Sequence, residues 1–515
     1  MSSVMPAGTA SPPAQGFVAG WLSNIEASGR SPVKAIAGFC IAWAALFVIL
    51  HVMPTPHGLQ PAGQATLAVM TWACVMWISE AVPVGVSGLL IPMLLVLTNA
   101  VKPFPAAASG FVMPVVFLCL AAFIFAAIMQ VAGLDRRLAL SLLHRFRATT
   151  VNGVIWSMFV VNILLSFIIP AANARAATLL PVINGITRFF GDTERERNAK
   201  KAIVIQSLVY GSMISGMCIL TAHLPNYIIV SLVGKQGYGI SYWQWFTLQW
   251  PYLGMFVLTQ WWVKHYFRTR GVTAQGGARA IEQQYREMPR MRQSEWLILA
   301  AFALVAVLWA FEKQIGIASH NAALIGLAAL FVPGLFAFKW KEIQERTIWG
   351  TLLLLAGALS LSDAMGKTGL AQWLADLLHP VTSGQPWWVV VGILMVGTHI
   401  MRLGMLSNVA AIAMLAPILI AMAPVVGLHP VSFTMLVADT DTFAYILPTQ
   451  ITAAVIAYSS GTFSMTDYAK VGWISVLIAI AYGLCVMAPW YAFMGVPVWD
   501  PSAPWPFDRI ALPLK

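Results

Sequence analysis

Two long apolar stretches of this chain break at a small polar knot, where a segment crossing lipid would stay apolar. The first knot runs from Ser166 through Pro170, Asn173, Arg175 and Thr178 to Pro181, and the second from Gly404 through Ser407 and Asn408 to Pro417. Each sets an asparagine among small residues, followed by an apolar run that closes on proline. In hydrocarbon every backbone N–H and C=O must find a partner, so such a knot persists only if it is buried in protein or lines a wet cavity. Paired interruptions in the two halves of a membrane chain point to the binding site of a secondary transporter.

Composition agrees. The 515 residues are 59% hydrophobic and only 10% charged, against about 25% charged in soluble domains. An all-α polytopic membrane protein is the class that fits. The five cysteines (Cys40, Cys74, Cys119, Cys218 and Cys485) are scattered through apolar segments without metal-ligand spacing, so neither a disulfide framework nor a metal site is expected. The net charge of +11 lies between spans: Arg136 to Arg147, Arg188 to Lys201, and Lys264 to Arg292. Residues 54–63 and 312–320 are nearly free of Lys and Arg. That asymmetry makes the basic loops cytoplasmic; we read the N-terminus as cytoplasmic too, and the membrane as a bacterial inner membrane. The charge then serves topology and anionic-lipid contact rather than nucleic acid.

With about twenty apolar residues per crossing, the first half gives spans Lys34–Val52, Gln64–Val82, Val84–Val101 and Phe111–Gly133, then a basic interfacial stretch Leu134–Arg147. The first knot lies within Val154–Phe190, followed by a charged loop Gly191–Lys201, a broken helix Ala202–Val233 and a span Phe246–Tyr266. A polar segment between His265 and Gln293, expected to hold a surface amphipathic helix, is the midpoint. The second half gives Glu295–Phe311, Asn321–Phe338, one long span Trp349–Leu378, the second knot within Trp387–Val426, a broken helix Val431–Ser460 and a last span Val471–Phe493. The matching order predicts two inverted repeats if one preceding span is extra, with about eleven transmembrane helices besides the two knots. Met1–Gly29 reads as a mobile or interfacial tail without the features of a cleavable signal, and Gly495–Lys515 as a tail on the outer surface.

The broken helices carry their own chemistry. Gly211, Gly216 and Pro225 interrupt the first around Thr221, His223 and Asn226, and Pro448-Thr449-Gln450 interrupts the second after Asp439 and Asp441. Freed carbonyls coordinate small cations, while helix N-termini attract carboxylates; the plain alternative is a proline kink satisfied by a neighbouring helix. Ionisable groups inside the membrane are costly unless compensated. Arg175 and Arg402 flank the knots, and a guanidinium there either clamps an anion bidentately or binds backbone carbonyls. Asp439 and Asp441 either relay protons or cations, or pair with Arg402. His223 and His399 either titrate near neutrality or pack as hydrogen-bonded residues.

At this point the residues resemble a family. Trp77-Ile-Ser-Glu80-Ala-Val-Pro83 is similar to an early signature of the divalent anion/sodium symporter family, which includes di- and tricarboxylate carriers. Ser407-Asn408-Val409 resembles that family's Ser-Asn-Thr hairpin tip, with Val in place of Thr. Gly216-Met217 through Pro225-Asn226 resembles its Gly-Met…Thr-Pro-Pro-Asn loop, with Leu224 at the first proline. Pro170-Ala-Ala-Asn173-Ala-Arg175 is similar to a Pro-Ser-Asn-Thr-Ala-Arg tip, with Ala171 and Ala172 at the Ser and Asn positions. The second broken helix lacks the Thr-Pro-Pro-Asn pattern. The resemblance extends from about Trp77 to Trp473.

The resemblance implies that the two knots are re-entrant hairpins. It also implies a homodimer and an elevator-type transporter, with a scaffold domain and a moving transport domain whose hairpin tips meet near mid-membrane. It divides the chain into a tail (1–33), first scaffold helices (34–133), a first transport unit (134–245), a span, cytoplasmic loop and second scaffold helices (246–348), a second transport unit (349–470), and a last span with tail (471–515). Motifs and resemblance together give a candidate substrate set of Asn173, Arg175, Ser407, Asn408, Val409, Thr221, Pro225, Asn226 and Thr449. The candidate cation-coupling set is Ser166, Asn173, Gly216, Asn408, Asp439 and Asp441, with Na+ or H+ as the coupling ion and no other cofactor. Glu80 reads as a helix-capping residue at the scaffold boundary rather than a substrate contact.

The function expected is secondary active transport of small organic anions, di- or tricarboxylates foremost, by cation-coupled symport or exchange. The alternative on the same scaffold is proton-coupled transport of a sulfonate or inorganic oxyanion through Asp439 or Asp441. An intramembrane enzyme is disfavoured, since the chain has no His-Glu-x-x-His element and no Gly-x-Ser-x-Gly elbow. A passive channel lacks a ring-forming filter motif.

Overall fold

The computed structural model describes residues 32–146, 150–167, 169–273, 282–283, 285–334, 338–405 and 407–507. The expected N-terminal tail, part of the midpoint segment and the end of the C-terminal tail lie outside them. Among the described residues the architecture is helical. In chain order the principal helices are α1 (Pro32–Val52), α2 (Pro61–Ser79), α3 (Val84–Leu97), α4 (Pro114–Ala132), α5 (Leu134–Phe146), α6 (Val151–Ser166) and α7 (Ala172–Thr187). Next come α8 (Glu194–Cys218), α9 (Leu224–Lys235), α10 (Tyr242–Gln249), α11 (Met255–Tyr266), α12 (Gln293–Ala310), α13 (Ser319–Leu330) and α14 (Trp340–Arg346). The remainder are α15 (Trp349–Lys367), α16 (Leu370–Thr382), α17 (Trp387–Arg402), α18 (Asn408–Met422), α19 (Pro430–Asp441), α20 (Thr452–Tyr458) and α21 (Met465–Phe493).

Seven of these are long and apolar enough to cross a bilayer: α1, α2, α4, α8, α12, α15 and α21. A helix suits lipid because it satisfies its backbone internally, and the side chains follow. In α1 only Ala35, Gly38 and Ala42 are buried, while Phe39, Ile41 and Phe47 stand exposed. In water that apolar surface would be unstable; against hydrocarbon it is at rest. By contrast the apolar part of α8, residues 202–218, is enclosed by other helices.

Two spans and one loop differ from expectation. The long span Trp349–Leu378 is two helices, α15 and α16, because Gly369 turns the chain in the left-handed region (φ +73°). The span Phe246–Tyr266 is also split, since Pro251 opens a 3₁₀ turn, Trp250–Gly254, between α10 and α11. The charged loop Gly191–Lys201 is mostly helix: Thr193 and Glu196 form a capping box that starts α8 at Glu194, satisfying backbone donors at both ends of the box.

The most extensive helix pair, α3 with α15, joins the two halves. Small residues let the backbones touch. A Cβ on Gly88 would lie 2.5 Å from the Leu353 carbonyl oxygen, and one on Gly357 would collide with the backbone of Gly88. Trp77 Nε1 donates to Ser87 Oγ at 3.1 Å, tying the end of α2 to the same pair. Gly88→Val should therefore force α3 and α15 apart at a cost of about 1–3 kcal/mol or more, the usual penalty of overpacking. A lower Tm of the detergent-purified protein, with helix content retained, is the expected result.

Candidate functional site

Both knots are helix–break–helix elements. Helix α6 ends at Ser166 and α7 begins after Ala171; α17 ends at Arg402 and α18 begins after Ser407, whose Oγ accepts from the Ala410 N–H at 3.3 Å. Both broken helices share one local shape. After α8 a 3₁₀ turn, Leu220–Ala222, is followed by the single extended residue His223, which begins α9. After α19 the turn Pro448–Gln450 is followed by extended Ile451, which begins α20.

These four breaks meet. A single cavity of about 220 Å³ is lined by Ala171, Ala172 and Asn173 of the first knot and by Ser407, Asn408 and Val409 of the second. The broken helices add His223, Leu224 and Pro225 on one side and Ile451, Thr452 and Ala453 on the other. Trp77, Glu80, Val84, Met213, Thr351 and Leu354 complete the wall. The space is large enough for a small ion. Helices α7, α9 and α18 start on this wall, and the first amides of a helix have no intrahelical acceptor. Three positive dipole ends and their N–H groups thus converge on one space, a setting that favours an anion.

A buried guanidinium backs each knot. Arg175 is wholly buried; its Nη1 donates to the carbonyls of Ile169 (2.8 Å) and Ala222 (3.1 Å), and its Nη2 to Ser212 (2.7 Å). Arg402, equally buried, donates to the Gln450 carbonyl at 2.5 Å and to Asn408 Oδ1, with Asp441 Oδ2 3.7 Å from its Nε. A guanidinium has donors only, so it fixes the Asn408 amide with its oxygen turned inward. The Nδ2 donors are left on the other side, 3.5 Å from His223 Nε2.

The sodium:sulfate symporter transmembrane region, as a family model, matches residues 34–496. The chain belongs to this family. It is the divalent anion/sodium symporter family that the motifs resemble, and the protein is accordingly an integral membrane transporter. A "membrane protein" of Cupriavidus necator is 29% identical, over 89% of this chain and 93% of its own. The sodium-dependent dicarboxylate transporter SdcS of Staphylococcus aureus is 25% identical, over 88% of this chain and 91% of its own. In fold the chain is similar to the Neisseria gonorrhoeae efflux pump MtrF (TM-score 0.58, 13% identity, 90% of this chain and 100% of that one).

Within this family member the expected residues divide. Asn173, Ser407, Asn408, Val409 and Pro225 line the cavity; Asn173, half-buried, enters no hydrogen bond with another described residue. Thr221, Asn226 and Arg175 are buried behind it. Asn226 Nδ2 spans the carbonyls of Gly216, Met217 and Ile219 at 3.2, 3.4 and 3.0 Å, satisfying the break itself. Thr221 lies 3.4 Å from the Tyr242 hydroxyl. Thr449 is exposed and off the wall; Thr452, three residues on, takes the place on it. The only sequence signal for that shift is the Pro448 that opens the turn.

Of the cation candidates, Ser166 is buried and donates to the Asn162 carbonyl at 2.8 Å, beside Ser215 Oγ at 2.9 Å. Asp439 is buried, taking Gln249 Nε2 at 2.6 Å and the Tyr491 hydroxyl at 3.4 Å on its Oδ2. Asp441 pairs with Arg402, and His399 Nδ1 binds the Met395 carbonyl at 2.8 Å. Glu80, left out of the candidate set, lies on the wall in a left-handed conformation (φ 52°) that closes α2. Helix capping and the cavity position thus coincide in one residue.

Breaking a buried ion pair from one side leaves an uncompensated charge, at about 3–5 kcal/mol. Asp441→Asn should lower the Tm of the purified protein sharply, and Arg402→Gln added to it should recover part of the loss. A double variant no more stable than Asp441→Asn alone would show that the pair is not coupled.

Proposed function

We propose that the protein is a secondary active transporter of small organic anions, di- or tricarboxylates foremost, working by cation-coupled symport or exchange. The observation that carries this reading is the one small cavity walled by both knots and both broken helices, on which three long helices begin. A small anion there accepts from the Asn408 Nδ2 donors, from Asn173 and Ser407, and from helix-start amides. Dicarboxylate is the cargo in the name of the Staphylococcus aureus relative, and two carboxylates suit a site with donors from both halves. In this reading the two knots are re-entrant hairpins of inverted repeats among about eleven spans. The unit is a homodimer in a bacterial inner membrane, its N-terminus cytoplasmic, and each transport domain moves as an elevator against its scaffold.

The test is a ligand panel on purified protein, read as thermal stabilisation, followed by uptake into proteoliposomes. Succinate or citrate should raise Tm and be taken up. A response to sulfate alone would move the cargo to inorganic oxyanions, and no response to any anion would remove the proposal. Loss of a hydrogen bond to a charged group costs about 1.5–3 kcal/mol. Asn408→Ala should therefore weaken the ligand-induced shift at least tenfold in ligand concentration, while the unliganded protein stays folded.

A further inference from the structure

We infer that Arg175 and Arg402 are tethered cations standing where this scaffold's breaks would otherwise hold coupling Na+, so that the carrier binds its anion without Na+. The inference rests on the carrier reading for its meaning, but not for its test. In transporters with discontinuous helices, unwound main-chain carbonyls and helix C-terminal ends coordinate the coupling cation. Here four carbonyls at or beside the breaks already accept from a guanidinium. Ile169 at the first knot, and Ser212 and Ala222 in the first broken helix, all accept from Arg175, and Gln450 in the second broken helix accepts from Arg402.

The match between the halves is close. Ala222 and Gln450 are each the last residue of a 3₁₀ turn that precedes a single extended residue and a new helix. Yet the arginines reach these equivalent carbonyls from opposite sides of their knots: Arg175 follows Asn173, whereas Arg402 precedes Asn408. Two different sequence positions thus deliver a positive charge to the same backbone feature. The backbone is also shaped around the first guanidinium, since a Cβ on Gly216 would stand 2.6 Å from Arg175 Nη2. Among the described residues Arg175 has no carboxylate within ion-pair distance, so its charge is balanced by carbonyl dipoles alone. A metal ion at either break would have to share carbonyls that already accept from a guanidinium and would sit against a fixed positive charge. The residues present do not fit Na+.

The experiment compares melting of the purified protein in NaCl, KCl and choline chloride at equal ionic strength, without and with succinate. The expected result is the same Tm in all three salts, and the same succinate-induced shift. A saturable, Na+-specific rise in Tm of the wild type, or succinate binding tenfold or more tighter in Na+ than in choline, overturns the inference. Arg175→Ala vacates the first carbonyl cluster. It should melt lower than wild type and recover with Na+ or with millimolar guanidinium, but not with choline. A folded Arg175→Ala that responds to neither cation also overturns it. Arg402→Ala, which leaves Asp441 unpaired, is read in the same way should Arg175→Ala fail to fold. The salts compared without succinate decide the matter even if no anion ever binds, so failure of the carrier reading and failure of this inference are separable.

Discussion

A helix broken inside lipid exposes carbonyls that water cannot reach, and everything at the centre of this molecule answers that demand. Each unsatisfied buried group costs about 1–3 kcal/mol, so four breaks around one cavity are ruinous unless side chains repair them. Asn226 spans three carbonyls at the first broken helix, Arg175 spans three between knot and helix, and Arg402 closes the second. The repair leaves the other ends of the breaks, the helix starts, pointing into a small shared space. Carbonyl ends are answered by protein, and amide ends face the cavity.

The same logic separates the two rings of residues around the cavity. Glu80 and His223 apart, those on the wall are not ionisable, among them Ala171, Ala172, Ser407, Thr452 and Ala453, with Asn173 and Asn408 as the amides. The two guanidiniums stand one layer back. Arg402 acts on the wall through Asn408, and Arg175 acts through the backbone on both sides of the first break. Asp439 is removed still further, held by Gln249 and Tyr491. Side chains missing from the first tip are thus compensated by orientation and backbone rather than by new polar groups.

Much of this was legible in the chain, for a physical reason. Lipid tolerates so few polar or helix-breaking residues that Pro170, Asn173, Ser407, Asn408, Pro225 and Pro448 stand out against their surroundings. What was not legible depends on rotation and on turns. A 3₁₀ turn advances three residues per turn, which put Thr452 and not Thr449 on the wall. Gly369 ended α15 inside a run that reads as continuous, since glycine in an apolar membrane segment has many roles. The Thr193-to-Glu196 spacing that makes Gly191–Lys201 helical is visible in the sequence, yet its charges read first as loop. Whether Arg175 faced a solute or a carbonyl could not be read from its neighbours, because the acceptors come from Ser212 and Ala222, far along the chain.

The orientation of Asn408 has an effect on what the pocket excludes. With its oxygen held by a guanidinium, that amide shows only hydrogens to an arriving molecule, as do the opening turns of three helices. An ammonium group, which has donors only, would meet like polarity there, with Glu80, the Asn173 amide oxygen and a few rotatable hydroxyls as its acceptors. A free cation is therefore the solute this wall suits least, without any residue dedicated to rejecting it.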